Sequence, residues 1–279
     1  MPARKYIRAL ESHYRRCHRR RYVHPDPLEF LYAYDDPADR EVVALVAASL
    51  AYGRVAHILV SVRRVLERLG DSPGRYVRDT APAHMRADLA GIKHRWTTGD
   101  DLAAMLAGAR RAIRRHGSMG KRLAAGVAPG DANILPALAG LVGELTAFGP
   151  APGLLPDPER GSACKRLHLM LRWLVRRDDV DPGGWDDIAP RLLIVPVDVH
   201  MHRIARAMRL TTRKAPDGRC AMEITRAFAA VRPDDPVRYD FSLTRMGIHP
   251  DVAWADGIPD GITAETRRRR KETTSGRGC

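Results

Sequence analysis

Three side chains that can take part in chemistry stand close together in the sequence, at Asp198, His200 and His202. Residues 192–197 before them are apolar and predict an extended segment. Apolar residues then recur at helical spacing, at Met201, Ile204, Ala205 and Met208. Asp198 therefore stands where a helix should begin, and we expect its carboxylate to accept backbone N–H bonds as an N-cap. A carboxylate held there is either a cap alone or a cap that also serves in chemistry.

The two histidines are expected to differ in their relation to Asp198. At about 100° per residue, His202 falls on the same helix face as Asp198, whereas His200 points roughly the other way. We therefore interpret His202 as a possible support for the aspartate. In a strand, all three side chains would share one face and resemble the ligands of a metal hydrolase. The apolar stripe favours the helix, and we expect no metal.

Lys165 opens a second predicted helix, over residues 162–177. The apolar face of that helix is formed by Leu167, Met170, Leu171, Leu174 and Val175. Lys165 projects away from this face together with Arg172 and Arg176, which predicts an exposed basic face. Only lysine, and not arginine, forms a Schiff base with the aldehyde carbon of a sugar, provided that its amine is partly neutral. Lys165 is one of six lysines among 47 basic residues, so its presence here hints at function.

The composition is that of a folded, basic protein. The chain has 279 residues, 44% of them hydrophobic, and a formal net charge of +14. Such a charge favours a polyanionic partner, although a genome whose base composition favours arginine codons would produce the same excess of arginine. We expect no signal peptide, no membrane span and a cytoplasmic protein. The four cysteines form no CxxC pair, which argues against zinc and iron–sulfur clusters; they are Cys17, Cys164, Cys220 and Cys279.

Nearly every periodic segment predicts a helix, so the expected fold class is all-α. Helices are predicted over residues 4–20, 39–52, 55–69, 100–116, 162–177, 199–209, 220–231 and 235–246. Segments rich in glycine and proline, at 126–133 and 149–160, predict loops. The basic residues 266–279 predict a disordered tail.

Residues 197–210 resemble the segment VDTHVxRVxxRLGL of the helix-hairpin-helix DNA glycosylase superfamily (HhH-GPD). In that superfamily the aspartate is catalytic and caps a helix. The chain resembles still more closely one bacterial branch of it, the DUF2400 proteins, over about residues 25–248. Four stretches carry this second resemblance: residues 26–30, 39–54, 165–176 and 234–241.

The resemblance implies a fold, a site and a departure from the common pattern. The implied fold is a single HhH-GPD-like helical region over 1–265, with a central cleft between two lobes at about 36–150 and at 1–35 plus 151–265. Asp198 corresponds to the catalytic aspartate. Lys165 resembles the lysine of bifunctional members, particularly that of a branch in which the lysine lies well upstream of the catalytic aspartate. The glycine-rich hairpin LPGxG, which grips a DNA phosphate, is absent, so the hairpin at residues 180–185 is expected to be degenerate.

The function expected from the resemblance is base-excision repair. The protein would remove a damaged base, with an oxidised base as one candidate, from double-stranded DNA and cut the strand at the abasic site. It would act as a monomer without a cofactor, associated with the nucleoid. Arg166, Arg172 and Arg176 would bind DNA. The tryptophans Trp96, Trp173 and Trp185 are candidates for contacting bases, or are core residues. Two other functions stay open: a non-catalytic nucleic-acid-binding protein on the same fold, and a metal hydrolase using Asp198, His200 and His202.

Overall fold

The described part of the chain is almost entirely α-helical, which confirms the predicted all-α class. The computed structural model describes residues 5–149, 151, 153–249, 251–253 and 256–259. The predicted basic tail, 266–279, lies outside these residues. Among the described helices, none combines the length and the apolar character that crossing a membrane requires.

The described residues form twelve α helices and one small hairpin. The helices are α1 (Ile7–Cys17), α2 (Pro37–Ser49), α3 (Val55–Leu69), α4 (Pro73–Asp79), α5 (Pro82–Asp88), α6 (Gly99–His116), α7 (Met119–Ala124), α8 (Leu135–Leu145), α9 (Lys165–Val175), α10 (Val199–Ala207), α11 (Gly218–Ala229) and α12 (Asp240–Ile248). Four 3₁₀ helices lie at Arg20–Tyr22, Pro27–Ala33, Pro158–Arg160 and Pro190–Leu192. Strands β1 (Lys93–His94) and β2 (Thr97–Thr98) pair antiparallel, with Lys93 opposite Thr98.

Local side-chain chemistry fixes the ends of several helices. Thr98 and Asp101 form a capping box at the start of α6. Gly117, at φ 88°, ends the same helix, and Gly70, at φ 72°, ends α3. Both conformations are left-handed and suit glycine, which has no β-carbon to clash. These signals explain why the bounds predicted for α3 are confirmed and why those for α6 are wrong by only one residue.

Helix α2 is the central element, buried along nearly its whole length. It packs against the 3₁₀ helix before it, against α4 and against α9. Its two buried carboxylates accept hydrogen bonds from distant backbone amides and from one indole N–H. Asp39 Oδ1 accepts from Gly74 N at 2.8 Å, and Glu41 Oε2 accepts from Met119 N at 3.1 Å and from Trp185 Nε1 at 3.0 Å. The carboxylates of α2 thereby tie together the starts of α4 and α7 and the residues that follow α9.

One continuous hydrophobic cluster holds the described residues together, from Tyr6 to Ile258. On one side α6 packs against α5, α7 and α8; on the other, α12 packs against α1 and α10. Members of the cluster come from both of the predicted lobes. The division into lobes at 36–150 and at 1–35 plus 151–265 stays a prediction.

The segment 180–185 takes the place in the sequence of the hairpin that the resemblance implied. The Gly183 N–H donates to Trp173 O at 3.0 Å, and the Trp185 N–H donates to Leu174 O at 2.8 Å. These bonds satisfy carbonyls at the C-terminal end of α9, which would otherwise lack intrahelical partners. Both amides are therefore engaged within the protein, in contrast to a hairpin whose free amides hold a phosphate.

Candidate active site

The two residues predicted to be catalytic lie side by side. Lys165 is the first residue of α9 and Asp198 is the N-cap of α10, and Lys165 Nζ is 3.4 Å from Asp198 Oδ2. The Lys165 side chain is 34% exposed and that of Asp198 is 19% exposed. An ion pair at this degree of exposure contributes little to stability, about 0–1 kcal/mol. The pair is therefore close enough to act together and open enough to meet a ligand.

The expected capping role of Asp198 is confirmed. Its Oδ1 accepts the Met201 N–H at 2.8 Å, and its backbone is extended, at φ −110° and ψ −173°. This is the usual N-cap geometry. Lys165, in contrast, is a cation at a helix N-terminus, where the helix dipole favours negative charge. Helix stability thus explains the aspartate but not the lysine.

Lys165 and Asp198 lie in the wall of a solvent-open cavity of about 650 Å³. We call it the Lys165 cavity. Its walls come from the residues just after α2, the starts of α9 and α10, the end of α12 and the start of the 3₁₀ helix Pro27–Ala33. Polar side chains in the wall include Asp26, Tyr52, Arg166, His200 and Arg245. The cavity therefore draws its residues from both predicted lobes.

Internal contacts already hold two of the cationic side chains in this wall. Arg245 of α12 pairs with Asp26. Arg166 Nη1 donates to Ser49 O at 2.8 Å and to Gly153 O at 2.6 Å. Arg166 lines the cavity and stays a predicted DNA contact, whereas the Arg245 charge is balanced within the wall.

The structure reverses the predicted placement of the two histidines relative to Asp198. His200 lines the Lys165 cavity, whereas His202 is buried and its Nε2 lies 3.0 Å from Arg213 O, outside the cavity wall. The prediction placed Asp198 on the helical wheel, but a cap residue has extended backbone, so the helical angle does not extend back to it. The prediction that His202 supports Asp198 was therefore wrong. Burial lowers the pKa of His200, although the Asp198 carboxylate opposes that shift.

The expectation of an exposed basic face on α9 was also wrong. Arg172 and Arg176 are 3% and 4% exposed. They form a buried arginine–aspartate cluster with four carboxylates, those of Asp178, Asp181, Asp235 and Asp240. Arg172 and Arg176 were predicted to bind DNA, but both guanidinium groups are turned inward and ion-paired, away from any phosphate on the surface.

The segment 198–202 does not gather the ligands of a metal hydrolase. It begins a helix rather than a strand, and His202 is turned to a backbone carbonyl. Within the described ranges, one group of three ligand atoms is close enough to hold an ion: His18, Asp178 and Asp181. Asp181 is already paired with both buried arginines. Two guanidinium charges thus occupy the place that a cation would need.

The three candidate tryptophans have different environments. Trp173 is fully buried in the core, and Trp185 is buried with its Nε1 donating to Glu41. Trp96 is 63% exposed at the tip of the β1–β2 hairpin. Of the three, Trp96 is therefore the one placed to meet another molecule.

Comparison with known protein families assigns the chain to one of them. The family model for DUF2400, described as a protein of unknown function, matches residues 26–249, a range that includes both Lys165 and Asp198. The chain belongs to the DUF2400 family. No curated protein and no solved structure matches it.

Sequence reasoning missed several cavity residues of this DUF2400 member. Asp26, Tyr52 and Arg245 were not singled out as site residues, and His200 was considered only as a ligand of the alternative metal hydrolase. The pair Asp26–Arg245 joins residues 219 positions apart, a contact that no local pattern indicates. His200 had a signal, since it stands two residues after Asp198 at the start of a helix.

Proposed function

We propose that this protein is a DNA glycosylase with AP-lyase activity, a divergent relative of the helix-hairpin-helix glycosylases. The observation that carries the proposal is the 3.4 Å pairing of Lys165 Nζ with Asp198 Oδ2 in the wall of an open cavity. An amine nucleophile beside a carboxylate is what attack on a sugar carbon requires. The net charge of +14 supports a polyanionic substrate.

The first step exchanges a base for the lysine. A damaged nucleotide rotates out of the duplex into the Lys165 cavity, at a cost of a few kcal/mol that a lesion reduces. With Lys165 as the neutral amine, the Asp198 carboxylate stabilises the positive charge that develops on the sugar, and it then accepts the proton that Nζ loses once Nζ is bonded to C1′. Nζ forms a bond to C1′, and the C1′–N bond breaks. The base leaves with that electron pair and takes up a proton.

The second step cuts the strand. The sugar opens at the C1′–O4′ bond and leaves an imine between Nζ and C1′. Removal of a proton from C2′ then drives rupture of the C3′–O bond, whose electrons leave with the 3′ phosphate. Water finally hydrolyses the imine and restores the lysine. The reaction needs only water, acid–base groups and the amine, all of which the cavity and solvent supply.

Borohydride trapping tests the role of Lys165. Borohydride reduces an imine to a stable amine, so the wild-type protein should become covalently linked to a duplex that carries an abasic site. Lys165→Gln should abolish the adduct, because glutamine has no nucleophilic amine. The control is Lys121→Gln, which changes an exposed lysine on α7 and should leave trapping intact. No adduct in the wild type, or an undiminished adduct in Lys165→Gln, would overturn the proposal.

Asp198→Asn tests the aspartate without disturbing the helix, because asparagine caps as well as aspartate does. The variant should melt like the wild type and still bind DNA. Base release from lesion-containing duplexes should fall about 100-fold or more, the usual loss when a catalytic acid–base group is removed. Full activity in Asp198→Asn would leave the residue a cap and nothing else.

The alternative function, non-catalytic binding of nucleic acid, is favoured by the net charge alone. It predicts binding that weakens steeply with added salt, as phosphate contacts do, together with no turnover on any lesion. The trapping experiment separates it from the proposal, since a mere binding protein forms no imine.

A further inference from the structure

The exposed Trp96 belongs to a rigid stack that leads into the Lys165 cavity. Its ring stacks on Tyr52, with centroids 5.4 Å apart and planes 21° from parallel. The Arg95 guanidinium lies 4.6 Å from the Trp96 ring centroid, and the Arg166 guanidinium lies 5.1 Å from that of Tyr52. We call these four residues, Arg95, Trp96, Tyr52 and Arg166, the Trp96 platform. Two stacked aromatic rings, with one guanidinium group beside each, thus run from the surface to the cavity wall.

Hydrogen bonds fix the platform before any ligand arrives. The Tyr52 hydroxyl donates to His94 O at 2.9 Å and lies 2.7 Å from Thr97 Oγ1. His94 Nε2 in turn lies 3.0 Å from Tyr52 O. The hairpin that carries Trp96 is thereby attached to the residues just after α2. A preformed aromatic surface binds flat ligands without the entropy cost of ordering side chains.

Nothing in the described part of the chain explains why Trp96 is exposed. A tryptophan buries a large apolar area when it packs, yet 63% of this side chain remains in solvent. The guanidinium groups of Arg95 and Arg166 flank the two rings of the platform, so an anionic ligand with a flat ring suits it. Tyr52 and Arg166 lie in the wall that also holds Lys165 and Asp198, so the platform is continuous with the proposed site.

We propose that the Trp96 platform binds a nucleobase of the DNA strand, next to the nucleotide that enters the Lys165 cavity. This inference rests on the proposed function for the identity of the polymer. Base–aromatic stacking accepts any base, because every base has a π face, and arginine adds cation–π attraction and phosphate contact. The platform therefore supplies affinity for a distorted or unstacked strand, whereas the cavity supplies the chemistry.

Binding to a non-reactive site tests the platform apart from the chemistry. The probe is a fluorescent duplex with one tetrahydrofuran residue, an abasic analogue that has no hydroxyl at C1′ and forms no imine. Trp96→Ala should weaken binding by about 5- to 150-fold, the range for losing one base-stacking aromatic. Trp96→Phe keeps an aromatic ring and should stay within a few-fold of the wild type. Phe148→Ala removes another exposed aromatic, one outside the Lys165 cavity, and should leave affinity unchanged.

The outcomes separate this inference from the proposed function. Equal affinity of Trp96→Ala and the wild type, or equal losses in Trp96→Ala and Phe148→Ala, would overturn the platform alone. A loss in Trp96→Ala combined with no borohydride adduct in the wild type would overturn the lyase and support the platform. Failure of the wild-type protein to bind the duplex would overturn both. Trp96→Leu keeps an apolar side chain but has no aromatic face, so it should show the same loss and keeps the test valid if the alanine variant fails to fold.

Discussion

At the scale of single residues, the cavity offers one neutral base in addition to the Lys165–Asp198 pair. Both carboxylates in the wall already have partners. One Asp198 oxygen accepts the Met201 N–H and the other lies beside Lys165, and Asp26 is paired with Arg245. His200 shares the wall, and burial lowers its pKa, so its imidazole is largely neutral at pH 7. A neutral imidazole is suited to remove the C2′ proton in the strand cleavage that we propose.

We predict that His200→Gln separates the two steps of the proposed reaction. Borohydride trapping should persist, because imine formation needs Lys165 and Asp198, whereas strand cleavage should slow by about 100-fold. Two quantities are measured on an abasic duplex: the single-turnover rate of strand cleavage and the yield of trapped adduct. His202→Gln, on the buried side of the same helix, is the control and should leave the ratio of cleavage to trapping unchanged. Equal cleavage rates in His200→Gln and the wild type would contradict the role.

At the scale of helices, the arginine–aspartate cluster joins α9 to α12 and to the loop after α9. Asp181 is fully buried and accepts bonds from both Arg172 and Arg176. Removing one member of a buried ion-pair network leaves uncompensated charge in the interior, which costs about 3–5 kcal/mol. The cluster therefore fixes where α9, and with it Lys165, lies.

Asp181→Ala should lower the free energy of unfolding by about 3–5 kcal/mol, measured by urea denaturation followed by circular dichroism. The matched control is Asp179→Ala in the same loop. Asp179 is 60% exposed and pairs with the exposed Arg19, so its loss should cost about 1 kcal/mol or less. Similar midpoints for the two variants would show that the cluster does not hold α9 in place.

The same cluster shows what the sequence could and could not predict about the elements. Glycines and capping residues mark the ends of α3 and α6 locally, so a single stretch of sequence suffices to find them. The burial of Arg172 and Arg176 depends on Asp240 and Asp235, which lie 68 and 59 residues further along the chain. An amphipathic pattern describes one helix and contains no information about such distant partners.

For the candidate site, too, local features could be predicted from the sequence and contacts between distant residues could not. Asp198 was found because a cap is a local event, and Lys165 because lysine is rare in this chain. Their 3.4 Å approach depends on how α9 and α10 pack, which no spacing of 33 residues determines. The assignment of His200 and His202 failed because the helical wheel was extended onto a cap residue that is not helical.

At the scale of the whole molecule, Glu41 lies where three parts of the chain meet. Its carboxyl is 2% exposed, and burial raises its pKa to about 7 from an ordinary value of 4.5, against hydrogen bonds from Trp185, Gly120 and Met119. The folded protein therefore keeps this proton to a higher pH than the unfolded chain does. Unfolding releases it between about pH 4.5 and pH 7, so stability falls as the pH rises through that window.

Glu41→Gln should remove this contribution. Glutamine keeps a neutral acceptor for the Trp185 N–H and has no proton to lose. The difference in unfolding free energy between the variant and the wild type should shift in favour of the variant by about 3 kcal/mol from about pH 4.5 to about pH 8. Urea denaturation at those two pH values gives the difference directly. An unchanged difference would contradict the assignment of the proton to Glu41.

The two oxygens of Asp198 have separate tasks. Oδ1 holds the first turn of α10 and Oδ2 faces Lys165. A proton that arrives on Oδ2 during a reaction leaves Oδ1 able to accept the Met201 N–H, because a carboxylic acid retains a carbonyl acceptor. In the proposed reaction, the charge of the site can therefore change in every turnover while the helix that carries the aspartate stays wound. A carboxylate shared in this way allows catalysis without local refolding.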